Sequence, residues 1–189
     1  MGRWQPGARE RLEQAALDLF LEQGFTETTV PQITARAGLT TRTFFRHFAD
    51  KREVLFGGGA VLQELVVEAA ADAPASLTPI DAALAGFEAA GREFFVAELR
   101  PFSRQRQSVI DANPGLQERE LAKLASLSAA LAGALRRRGV SDPVAALTAE
   151  VAIAVFRTAF ERWINASDDR DFLALVHESR DQLKALTAS

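Results

Sequence analysis

Along residues 8–23 the apolar side chains fall at Leu12, Ala15, Ala16, Leu19 and Phe20, a spacing of i, i+3, i+4, i+7 and i+8. That recurrence lays one apolar stripe along an amphipathic helix, and Gly24 offers a left-handed stop behind it. A second helix opens at Thr29, with Gln32 three residues on in the spacing of a capping box, and turns Val30, Ile33 and Ala37 inward. Gly38 breaks it. Thr40 then caps a third helix running through Phe48, and Asp50 caps a fourth, from near Lys51 to about Ala71. Gly57, Gly58 and Gly59 interrupt that fourth helix, each costing about 1 kcal/mol relative to alanine. They either kink it into a hinge or let a neighbour pack close.

The same reading continues to the C-terminus. Ala73 to Pro79 is a loop with Thr78 as a cap, and a long helix runs from Pro79 to about Leu99, where Pro101 ends it. A short helix covers about 102–112 and stops at Asn113-Pro114. The next, 115–138, ends in Arg136, Arg137 and Arg138 before Gly139, cations placed where the helix dipole is negative. A strongly apolar helix spans Pro143 to Asn165, and the last runs from about Asp169 to Leu186. No segment alternates with period two, and no repeat is visible. The fold class is all-α, with about nine helices.

Composition narrows the function. The chain has 189 residues, 48% of them hydrophobic, no cysteine and two histidines, His47 and His177, far apart in sequence. Disulfides, thiolate metal sites and cysteine nucleophiles are excluded, and neither a metal site nor a cofactor is expected. No stretch is read as approaching the roughly 20 apolar residues that span a bilayer. The start, MGRWQPGARERL, lacks the apolar core of a signal peptide, so a soluble, cytoplasmic protein without a membrane partner is expected. Net charge is −3. Residues 1–56 hold eight Arg/Lys against seven Asp/Glu, and residues 57–189 hold fourteen against eighteen. An acidic body leaves the mildly basic N-terminal part as the side that approaches phosphate.

Residues 28–51 carry the functional signal. Two short helices fold around Ala37-Gly38, and the second places Thr41, Arg42 and Thr43 at its start, with Phe45 and Arg46 one turn on. In a helix-turn-helix those positions approach base edges in the major groove. Arg42 and Arg46 share a face, and arginine can fork onto guanine while threonine offers a hydroxyl and a methyl. Phe44 and Phe48 point inward. Thr29 and Thr40 can present cap hydroxyls and nearby amides to phosphate, Arg9 and Arg11 can clamp the flanking backbone, and His47 either donates to phosphate or packs inside the turn.

Ala15-Ala16-Leu17-Asp18-Leu19-Phe20, Gly24-Phe25, Thr28-Thr29-Val30, Ile33, Ala37-Gly38-Leu39, Thr43 through Phe48 and Asp50-Lys51, in that order, resemble the N-terminal domain of the TetR (tetracycline-repressor-like) transcriptional regulators. The resemblance covers residues 8–56. It implies a three-helix DNA-binding domain over 1–56, with the helix-turn-helix at about 29–48, and a helical effector-binding and dimerisation domain over 57–189. It also implies Lys51 as a phosphate contact, binding of double-stranded DNA, and a ligand-responsive regulator, usually a repressor, acting as a homodimer on a palindromic operator. Phe45 stands where the family often has tyrosine, so it packs on a sugar or a thymine methyl instead.

The resemblance places a small-molecule cavity within residues 60–138, for which Leu62, Leu84, Phe87, Glu88, Phe94, Arg106, Val109, Leu124 and Phe156 are the candidates, the last from beyond that stretch; the effector is unidentified. It implies a four-helix interface between subunits from the last two helices, with Val151, Val155, Ala159, Trp163, Phe172 and Val176 as candidate contacts. An enzyme is the different-class alternative, but there is no glycine-rich phosphate loop, no tyrosine and no partnered histidine to support one. A helical interaction module that has lost DNA binding is the other, and Arg42, Arg46 and Lys51 argue against it.

Overall fold

The computed structural model describes residues 7–187; the leader reading of the first residues therefore lies partly outside the described residues. Among the described residues the chain is helical throughout, with no strand. The helices are α1 (Ala8–Gln23), α2 (Val30–Ala37), α3 (Thr41–His47), α4 (Gly59–Asp72), α5 (Pro79–Phe94), α6 (Arg100–Asp111), α7 (Pro114–Arg137), α8 (Asp142–Asn165) and α9 (Phe172–Thr187), with 3₁₀ turns at Arg52–Phe56 and Ala97–Leu99.

Three boundaries differ from the sequence expectation. The fourth helix is two pieces, because the Asp50 carboxylate accepts from the Arg52 and Glu53 amides and winds a tight 3₁₀ turn before α4 begins at Gly59. The long helix from Pro79 ends at Phe94 rather than near Leu99, and Pro101 sits in the first turn of α6, where its missing N–H costs nothing. Gly24 does stop α1 at positive φ, but its angles (φ 87°, ψ 156°) are extended rather than left-handed helical.

Two compact units result: Met1–Gly58 with Gln105–Glu120, and Gly59–Arg104 with Leu121–Ser189. A single cut at 56/57 misses the return of 105–120 to the first unit. There the Arg106 guanidinium donates to the Leu55 carbonyl and lies 5.2 Å from the Phe56 ring centre, and Arg119 pairs with Glu53 at 2.7 Å.

In the first unit Leu12, Ala16, Leu17 and Phe20 of α1 are buried with Ile33 of α2, Phe44 and Phe48 around α3, and Val54 to Phe56. Gly57 has ordinary helical angles (φ −58°, ψ −35°). What it lacks is room, since a Cβ there would meet the Glu13 carboxylate, Arg9 Nη2 at 2.7 Å and Phe48 Cε1 at 3.1 Å. Close packing therefore accounts for Gly57, the first glycine of the run.

In the second unit α5 packs against α4, α8 and α9. Gly86 lets α5 approach α4 so closely that a Cβ would collide with the Val66 carbonyl. Phe87 stacks on Phe156 at 4.8 Å, and Phe95, Trp163 and Phe172 close round them at 4.5–6.1 Å. Arg138 donates to the carbonyls of Ala71, Ala73 and Pro74, so the last arginine of the run serves the C-terminal end of α4 rather than its own helix.

The expectation that no stretch is apolar enough to cross a bilayer needs correcting. Arg52–Asp72 and Asp142–Asn165 both reach the length and mean hydropathy (1.5) of a spanning helix. For α8 the reason is its place at the centre of the second unit's core, where Ala145, Ala149, Ala152, Phe156, Ala159 and Trp163 are all buried.

Gly86→Ala is expected to lower stability by about 1–3 kcal/mol, because a backbone carbonyl cannot step aside, visible as a lower melting temperature. Gly59→Ala, whose Cβ would meet nothing nearer than Lys123 Cδ at 4.0 Å, should leave the melting temperature unchanged or raise it.

Candidate nucleic-acid interface

The turn between α2 and α3 is built from local chemistry. The Thr29 hydroxyl accepts from the Gln32 amide while the Gln32 side chain accepts from the Thr29 amide at 2.8 Å, the expected capping box, and Pro31 occupies the first turn. Gly38 takes left-handed angles (φ 64°, ψ 38°), and the Leu39 amide donates back to the Thr34 carbonyl at 2.8 Å. A side chain at Gly38 would be strained, and the turn would open. Thr40 then caps α3 by accepting from the Thr43 amide at 3.1 Å.

α3 has only 7 residues, too few to hold its own shape in water. Phe44, fully buried, and Phe48 fix it from below, with ring centres 5.4 Å apart. Its outer side shows Thr41, Arg42, Phe45 and Arg46 to solvent. Thr43 is half-buried, and its hydroxyl is engaged with that of Thr40 at 3.0 Å.

The cations sort into two groups. Arg11 donates to the Ala37 carbonyl, Arg9 to Glu13 and to the Gly57 carbonyl, Arg36 binds Glu22 through two bonds of 2.9 and 2.7 Å, and Arg52 binds Asp50. The Arg52 guanidinium first, and the Glu53 and Arg52 amides after it, hold the Asp50 carboxyl below the usual carboxylate range against its partial burial. Arg106 is pushed down by burial and partly restored by Glu120. Arg42 and Arg46 alone among the described arginines of this unit have neither carboxylate nor carbonyl partner.

Lys51, Arg9 and Arg11, expected at phosphate, are engaged within the fold, and His47, expected either at phosphate or packed inside the turn, is half-buried. Lys51 Nζ donates to the carbonyls of Phe25, Thr26 and Thr28 at 2.6, 3.3 and 2.7 Å and sits 4.3 Å from the Phe25 ring centre. Its three N–H bonds are thereby used in closing the α1–α2 loop, and burial pushes its pKa down, with Glu27 opposing. Arg9 and Arg11 are tied to the fold as described. His47 is half-buried, and its Nε2 is buried without a hydrogen-bond partner. Apart from the Arg9–Glu13 pair, four residues apart, local spacing carried no sign of these ties, which join residues 23–48 positions apart.

The cavity candidates divide between the two units. Arg106 and Val109 belong to the first unit, and the other seven to the second. Leu84, Phe87 and Phe156 are buried in the packed core, Leu62, Phe94 and Leu124 lean on it, and Glu88 accepts from His177 Nε2 at 2.8 Å. A phenylalanine stripe at helical spacing here marks dense packing. Of two surface concavities, one of about 350 Å³ in the first unit touches only Val109 of the nine, and one of about 380 Å³ between α7 and α8 touches none.

The candidate dimer contacts Val155, Ala159, Trp163, Phe172 and Val176 are likewise buried inside one chain. Val151 is half-exposed. The apolar side of α8 that its composition advertised is turned to its own core.

A sequence profile of bacterial regulatory proteins of the tetR family matches residues 13–56, and one of the MftR C-terminal domain matches 77–188. The chain belongs to the tetR family. It is 29% identical over 180 residues to the regulator TcmR of Streptomyces glaucescens, spanning 90% of this chain and 80% of that protein. It is 43% identical over 47 residues to SrpR of Pseudomonas putida, 25% of this chain and 22% of SrpR. Among solved structures, SmeT of Stenotrophomonas maltophilia in complex with triclosan superposes with a TM-score of 0.61 at 21% identity, covering 93% of this chain and 90% of that one. FadR of Thermus thermophilus, in complex with lauroyl-CoA, gives 0.53 at 23% identity, with 96% and 95% covered. Like the tetR-family proteins it matches, the chain is a DNA-binding transcriptional regulator and not an enzyme.

Lys51→Met should lower the melting temperature, through about 1–3 kcal/mol of lost hydrogen bonding to the carbonyls of the α1–α2 loop, and leave the salt dependence of DNA binding unchanged. A phosphate contact would instead reduce the slope of log K against log[salt] by about 1 at constant melting temperature.

Proposed function

We propose that this protein is a ligand-responsive repressor that acts as a homodimer on a palindromic operator, each subunit reading one half-site with α3. The observation that carries the reading of DNA is the pair Arg42 and Arg46. They stand free on one face of a helix anchored from below, while the other described arginines of the unit are bound to carboxylates or carbonyls. Each can fork onto guanine O6 and N7. Thr29 and Thr40, exposed at the starts of α2 and α3, border the same surface with hydroxyls already engaged in capping, so any phosphate contact there falls to neighbouring amides. Lys51 acts by closing the α1–α2 loop.

One three-helix unit covers too few base pairs for a useful site, and a two-fold partner doubles it. Val144, Leu147, Val151, Ala154 and Thr158 are spaced 3, 4, 3 and 4 along α8, the spacing of a helix–helix seam, on the side left uncovered by its own core. Leu147 is 67% exposed. This stripe, rather than the buried residues expected from composition, is the proposed contact between subunits.

The effector belongs to the second unit. SmeT and FadR, of the same fold, hold triclosan and lauroyl-CoA, which supports a small molecule at the level of the fold. To admit one among Leu84, Phe87 and Phe156, the packed aromatic cluster has to open. The ligand then shifts the regulator only as far as it prefers that opened state. Acting on chromosomal DNA, the protein works in the cytoplasm.

Arg42→Ala is expected to weaken specific operator binding by about 1–3 kcal/mol at fixed salt, measured by titration of duplexes selected from a random pool. Wild-type affinity in that variant would remove Arg42 from base reading. Leu147→Glu should shift the sedimentation of the protein from dimer toward monomer at micromolar concentration, and a wild-type chain that sediments as a monomer would overturn the dimer.

A further inference from the structure

We infer that Phe45 reads the 5-methyl group of a thymine, making the protein sensitive to thymine against uracil at one position of each half-site. The inference rests on α3 being the reading helix, as proposed above.

Phe45 is 55% exposed, directly beside the fully buried Phe44. Its ring meets that of Phe44 edge-on, with centres 5.4 Å apart and planes at 83°. A buried ring thus supports it from within and keeps it standing off the surface. On the exposed arc its neighbours one turn back are Thr41 and Arg42, and Arg46 follows it. An apolar disc is therefore set among two guanidinium groups without partners among the described residues, on the side of the helix that meets base edges.

The chemistry of that disc selects its occupant. The chain has no tyrosine, and a phenyl ring has no hydrogen to donate. Against phosphate oxygens it would strip water and return no hydrogen bond. A sugar is sequence-blind and lies towards the rim of the groove, whereas Phe45 shares the arc of Arg42 and Arg46. The apolar feature at base edges in the major groove is the thymine methyl. Thr43 competes poorly for it, being half-buried with its hydroxyl tied to Thr40. Thr41, exposed one turn away, is the rival reader.

Burying one methyl against a ring corresponds to about fourfold in affinity. The experiment uses the full chain and the duplexes it retrieves from a random pool. These are resynthesised with each thymine replaced in turn by uracil, which removes the methyl and leaves sugar, phosphate and pairing intact. Wild-type protein is expected to lose about three- to fivefold at one thymine per half-site. The loss should vanish in Phe45→Ala, persist in part in Phe45→Leu, and persist in Thr41→Ser. Circular dichroism melts of the variants check that an exposed substitution has left the fold intact. Equal binding of all uracil duplexes by wild type would overturn the inference, as would undiminished discrimination by Phe45→Ala. Failure to retrieve any duplex from the pool would instead overturn the reading role of α3 itself.

Discussion

The packing of Phe44 and Phe48 beneath α3 is the constraint on which the DNA-binding surface depends. Seven residues cannot pay for their own helical nucleus, so α3 exists because two buried rings hold it against the rest of its unit. Burial of such rings contributes several kcal/mol, far more than any exposed charge on the opposite side. The two sides of the helix are therefore unequal in kind. The inner side supplies stability, and the outer side is released from that duty and can carry Thr41, Arg42, Phe45 and Arg46.

A second pattern runs through both units. Cations are used to close backbone that the helices leave open: Arg11 at the end of α2, Lys51 on the α1–α2 loop, Arg138 at the end of α4, Arg104 at the end of α8, and Arg100 on the segment leading into α9. Helix ends leave carbonyls without partners, and a guanidinium or ammonium nearby satisfies them and opposes the dipole. The consequence for function is a sorting. Under the proposed function, a positive residue held this way serves the fold, and the positive residues left over on α3 are the ones offered to a nucleic acid.

In the second unit, the close approach of α5 to α4 at Gly86 and of α5 to α9 at Gly91 gives a dense aromatic centre. Tight packing of this kind has few intermediate arrangements. Under the proposed function, a ligand would act on such a unit by exchanging one packing for another, and the outer α8 stripe would take the partner because the inner stripe is occupied by the unit's own core.

Sequence determined the helices, the capping box at Thr29 and the N-cap at Thr40, the turn at Gly38, and which side of α3 faces outward. Each of these depends on residues within about four positions of one another, where helix geometry alone fixes the neighbours. Tertiary structure decided the rest. Whether Lys51 met phosphate or carbonyl, whether Arg106 belonged with a ligand or with Leu55, and whether Trp163 faced a partner or its own core all turned on contacts between distant segments. A periodic pattern says that a side chain is buried or charged; it does not say against what, because the same stripe satisfies a core, a cavity or an interface equally well.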